Sequence, residues 1–110
     1  MGNSNLKNRY VGDLRDGMQH GRGIYKYGNG NVYEGEWFLG RKNGQGIMTY
    51  AAGDVYDGEW KHDTMCGHGF LTRSTGDTYD SEFRDGKMHG HGVNKRVNGD
   101  SYEGNYKEGK

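Results

Sequence analysis

From Tyr10 onward, one pattern of large apolar, small and charged positions returns every 23 residues. Tyrosine stands at Tyr10, Tyr33, Tyr56, Tyr79 and Tyr102. Two positions later come Gly12, Gly35, Gly58, Ser81 and Gly104, and two further on Leu14, Trp37, Trp60, Phe83 and Tyr106. Alternation with period two, apolar on one side and polar on the other, predicts a half-buried strand. Its polar side carries Glu34 and Glu36, Asp57 and Glu59, Asp80 and Glu82. A turn is expected at Gly17, Gly40 and Gly86, where positive φ is cheap for glycine. The third copy puts Asp63 there, which takes such geometry less easily. A second strand then holds a glycine pair, as in Gly44 and Gly46, followed by Ile24, Ile47, Phe70 or Val93. Gly30, Gly53, Gly76 and Gly99, each followed by Asn or Asp, make the return turn to the next tyrosine.

Glycine inside strands normally weakens them. Repeated opposite large rings, it implies bare backbone on which a Tyr or Trp lies flat. One hairpin alone is marginal in water, whereas stacked hairpins share a continuous core. The pattern therefore predicts an all-β chain, an elongated twisted solenoid of tandem 23-residue antiparallel β-hairpins. Its copies are 10–32, 33–55, 56–78 and 79–101, with a half repeat at 102–110. Residues 1–9 read as an N-terminal tail or cap. With strands roughly 4.8 Å apart, the array would run on the order of 45 Å. The half repeat exposes a strand edge: it either belongs to a longer array, closes this one, or offers a self-association surface.

The runs Tyr33-Glu34-Gly35-Glu36-Trp37, Asn43-Gly44-Gln45-Gly46 and Gly53-Asp54 resemble the MORN repeat (membrane occupation and recognition nexus), and the resemblance covers residues 10–110. Two positions depart from it, Ser81 for a strand glycine and Asp63 for a turn glycine. The resemblance implies a cytoplasmic, non-catalytic scaffold or adaptor that binds other proteins at cytoskeletal, ciliary or flagellar, or membrane-associated structures. It also implies two alternatives: a module that tethers membranes through anionic phospholipid headgroups, or the regulatory repeat region of a larger enzyme.

Composition narrows the choice. Lys and Arg number 15, as do Asp and Glu, so the charge excess that nucleic acid demands is missing. The single cysteine, Cys66, leaves no internal disulfide framework. No apolar run approaches the length of a transmembrane helix.

Enzyme motifs are lacking: no nucleotide-binding Gly-x-Gly-x-x-Gly occurs, and no Gly-x-Ser-x-Gly elbow. The carboxylates form regular columns, as a solvated strand face does. The one constellation with ligand chemistry is Cys66 and His68, then His89 and His91, each pair flanking a strand glycine. Residues i and i+2 of a strand share a side, so each pair could supply half a zinc site. Equivalent positions in adjacent copies are roughly 9.6 Å apart, near the limit for converging on one ion. No other cofactor is expected. Partner-binding candidates are Tyr27, Tyr50, Arg73, Lys95 and Arg96, rings and cations of the second strands and the turns after them.

Overall fold

The structure, a computed structural model, describes residues 7–109. Those residues form one antiparallel sheet of nine strands in sequence order: β1 Arg9–Arg15, β2 Met18–Lys26, β3 Val32–Phe38, β4 Arg41–Thr49, β5 Val55–Lys61, β6 Thr64–Thr72, β7 Thr78–Arg84, β8 Lys87–Lys95 and β9 Ser101–Tyr106. The sheet is open and single-layered, 44 × 34 × 18 Å, so the long axis matches the length that strand spacing implies.

Within each copy, a two-residue loop joins the strands with φ positive at both positions, as a type I′ hairpin demands. Asp16-Gly17 and Asp85-Gly86 are ordinary choices there. Leu39 at φ 44° and His62 at φ 50° are not. Asp63 does adopt the left-handed geometry, at φ 68°. Its carboxylate compensates by accepting the Lys42 backbone N–H at 2.8 Å.

The first strand of a full copy has seven residues and the second nine. The surplus is taken up in a bulge between the glycine at the strand centre and the hairpin turn. The first glycine of each pair sits in it with positive φ, Gly44 at 105° and Gly67 at 62°.

Successive copies are stitched at both margins. On the hairpin side, the N–H of Gly40, Asp63, Gly86 and Gly109 donates to the carbonyl of Gln19, Lys42, Met65 and Met88 respectively. On the return side, Asn31, Asp54 and Asp77 accept through Oδ1 from the N–H of Ala51, Ser74 and Val97 in the next return turn. Asn8 makes the same bond to Gly28 at 2.8 Å, so the repeating pattern of contacts begins before Tyr10. Residues 1–6 of the expected tail lie outside the described residues.

One face of the sheet is the core. Tyr33 and Tyr56 are wholly buried, and Trp37, Trp60, Met48 and Phe83 nearly so. Each tyrosine ring lies over the second glycine of the facing pair, Tyr10 on Gly23, Tyr33 on Gly46 and Tyr56 on Gly69. Tyr33 and Tyr56 also meet the aromatic of their own copy and that of the next edge to face, as Tyr33 does Trp37 at 5.1 Å and Trp60 at 5.5 Å, whereas Tyr10, with Leu14 in its own copy, meets only Trp37 in this way. The tyrosine hydroxyls donate to the carbonyls of Asp13, Glu36 and Glu59, and the indole N–H of Trp37 and Trp60 to the carbonyls of Gly23 and Gly46.

Candidate functional site

Two chemically distinct places stand out. On the core face, Lys42 is buried, with its ammonium 5.4 to 6.0 Å from the ring centres of Trp60, Tyr27, Tyr33 and Trp37. Four rings from three copies surround one cation. Its hydrogen-bond acceptor is the Tyr27 hydroxyl at 3.0 Å, and Asp63 stands 3.5 Å away. The equivalent positions hold Gln19, Met65 and Met88, so the cage exists once.

The opposite face is open. Strand pairing lines up Val11, Ile24, Glu34, Ile47, Asp57, Phe70, Asp80, Val93 and Glu103 in one row crossing all nine strands. Beyond Val11 an apolar residue and a carboxylate alternate. Val11, Ile47 and Phe70 remain 57%, 41% and 42% exposed. Shallow depressions flank the row, one between Arg9, Val11, Ile24 and Lys26 and another between Phe70, Thr78, Asp80, Val93 and Lys95.

The next row toward the hairpin turns has a structural task that the sequence pattern did not disclose. The carboxylates of Asp13, Glu36 and Glu59 lie over Gly21, Gly44 and Gly67, where a side chain would collide with them. They accept the bulge N–H groups of Arg22, Gln45 and His68 at 3.4, 3.3 and 3.3 Å. These acids cap backbone donors that the bulge would otherwise leave without a ladder partner.

The four residues considered for zinc are dispersed. The bulge between Cys66 and His68 breaks the simple alternation that would aim both side chains one way. His68 instead contacts Asp80 at 2.8 Å and Glu82 at 3.5 Å, and His91 contacts Glu103 at 3.0 Å. His89 lies 3.4 Å from Arg84. Among the described residues no group of three or more His, Cys, Asp or Glu is arranged to hold a metal ion. Burial, and then the neighbouring Glu59 carboxylate, push the Cys66 thiol above its ordinary value, which favours the unreactive protonated form.

The five partner-binding candidates are spread over both faces. Tyr27 packs 4.6 Å from Tyr25 with the rings tilted by 42°, and Tyr50 packs against the core, where burial raises its phenol. Arg73 pairs with Asp54 at 3.2 Å. Lys95 lies on the open face in register with Thr78 and Ser101, and Arg96 opens the following return turn. The open-face row itself was legible as columns, yet only the register shows that the columns form one line.

The sequence profile of the MORN repeat matches four consecutive stretches, residues 10–32, 33–55, 56–78 and 79–101. No curated protein shows significant similarity to the chain.

Proposed function

The chain belongs to the MORN-repeat family, and from that premise we propose that it is a non-catalytic scaffold that binds other proteins across its open face. One observation carries this reading. The core face is filled by its own rings, whereas the opposite face keeps an apolar side chain per copy in an ordered row, exposed at Val11, Ile47 and Phe70 and half-buried at Val93. Such a surface has the character of a binding site rather than of a solubilising coat. The regular row, some 38 Å long at about 4.8 Å per strand, suits an elongated partner. A cytoplasmic assembly at a cytoskeletal, ciliary or membrane-adjacent structure is the setting that the family implies.

Proximity labelling with the full chain in its native cells tests the reading. A reproducible set of protein neighbours, lost when Ile47 and Phe70 are both replaced by serine, is the expected result. Neighbours unchanged by those replacements, together with retention on phosphoinositide vesicles that disappears in a Lys95 and Arg96 variant, would replace the scaffold with a lipid tether. Light scattering behind a sizing column separates a third case, in which the neighbours are further copies of this chain.

A further inference from the structure

The open face is not uniform, and its central part specifies what would lie on it. Building on the scaffold reading, we propose that the stretch from β2 to β6 docks a basic amphipathic helix of a partner protein. The helix would lie across the strands, with apolar and cationic side chains alternating along its contact stripe.

Charge supplies the first argument. Between the return turns and the bulges, β3, β4 and β5 present Glu34, Glu36, Asp57 and Glu59 on this face and no cation. Glu36 and Glu59 are occupied by bulge N–H groups, and Glu36 also pairs with Arg22 of the flanking β2 at 3.8 Å. Glu34 and Asp57, both exposed, have no ion-pair partner among the described residues. In the flanking copy the corresponding acid, Asp80, is already taken by His68. Two free carboxylates are thus held between Ile24, Ile47 and Phe70, and Lys or Arg is their natural complement.

Spacing supplies the second. Ile24, Ile47 and Phe70 lie two strands apart, roughly 9.6 Å each. Seven residues of α-helix rise about 10.5 Å. A helix with one large apolar residue per heptad would therefore meet each in turn, and a Lys or Arg three or four positions on would face Glu34 and then Asp57. An extended segment returns to the same side about every 6.8 Å and loses step with the row. An anionic membrane would meet the acidic strands β3 to β5 first, since the cations of this face stand on the flanking strands and at its hairpin margin, as Arg22, Lys26, Lys95 and Lys61 do.

The test uses the full chain and two synthetic helical peptides, one with leucine every seventh position and lysines between, the other with each lysine replaced by glutamate. Fluorescence anisotropy should show binding of the lysine peptide alone, weakening as salt rises. Glu34→Lys with Asp57→Lys should reduce affinity at least tenfold, and the milder Glu34→Gln with Asp57→Asn by less. Ile47→Ser should also weaken binding, whereas Val97→Ser, in an exposed return turn away from this face, should leave it unchanged. Equal affinity for wild type and the double lysine variant would overturn the proposal. So would phosphatidylserine vesicles that bind the chain itself in the absence of peptide, or self-association abolished by Ile47→Ser. If neither peptide binds while the labelled neighbours still depend on Ile47 and Phe70, the scaffold reading stands and this partner chemistry falls.

Discussion

Tyr33 and Gly46 share one space: the phenol ring of the first lies where any side chain at the second would have to go. The hydroxyl beyond the ring is tied to the Glu36 carbonyl at 2.9 Å, so the ring has no room to withdraw. Gly46→Ala is therefore expected to cost about 3 kcal/mol, the upper end for an overpacked core, and to lower Tm by roughly 12 °C for a domain of this size. Thermal denaturation followed by circular dichroism measures it. A shift of only a degree or two would mean that the ring is not held against the backbone.

The fourth copy offers the reverse experiment. Ser81 is buried, and its hydroxyl donates to the Glu82 carbonyl at 3.0 Å, the bond that tyrosine makes in the first three copies. Serine, not Tyr79, is then the group lying against Gly92. Asn94 beside it is buried with its Oδ1 unpartnered. Ser81→Gly with Asn94→Leu should let Tyr79 take the usual place and raise stability by about 1 to 2 kcal/mol. Urea unfolding gives the number, and a structure of the variant should show Tyr79 bonded to the Glu82 carbonyl.

Alkaline pH should unfold the protein cooperatively. Burial, reinforced by Glu36 at Tyr33 and by Cys66 and then Glu59 at Tyr56, holds both phenols well above the ordinary value of 10.0. A raised folded-state value means that their contribution is complete below pH 10 and is lost as pH climbs above it. There the unfolded chain releases protons that the folded one retains. Each such tyrosine should lower stability by about 1.4 kcal/mol per pH unit in that range. Replacing both by phenylalanine should flatten the slope, as read from urea midpoints at successive pH values.

Lys42 is expected to behave as a packing element more than as a charge. Lys42→Met, matching Met65 and Met88, should change stability by less than about 1.5 kcal/mol, because the shape is kept and the buried charge is removed together with its demands. Lys42→Ala should cost about 2 to 3 kcal/mol by emptying the cage of rings. A double-mutant cycle with Asp63→Asn should return a coupling of about 1 kcal/mol, and zero coupling would mean that the pair is idle.

The clamps between return turns invite a local readout. Asp54→Ala removes the acceptor for the Ser74 N–H and should cost about 1 kcal/mol. Amide exchange should accelerate at Ser74 while Trp60 and its neighbours stay protected. Uniform acceleration would show that the margin and the core open together.

Much of this architecture could be read from residue columns, because one period repeated four times averages away local ambiguity. Tyr, Gly and Trp fell into strand alternation, and the ring-on-glycine core followed from their sizes. What escaped depended on geometry that alternation does not encode. The bulge at Gly67 separates Cys66 from His68, so the pairing rule behind the zinc idea did not apply there. Glu36 and Glu59 looked like solvated carboxylates until the bulge supplied them with N–H donors. The Lys42 cage draws on three copies, and its residues are not conspicuous in any one of them. Asn8 went unnoticed because a single residue marks its column before the tyrosine period starts.

The reach of these contacts sets how such a chain can grow. Return-turn clamps span 20 residues, and each stacked ring touches only its own hairpin and an adjacent one. A cassette of 23 residues copied in frame would find every clamp, ring seat and bulge acceptor already waiting on both sides. A cassette of any other length would put a ring where a glycine is needed, or leave a turn amide facing nothing. Growth of such an array is thus quantised by the hydrogen-bond register: whole units can be added or removed at little cost, while the interior of a unit tolerates almost no change in length.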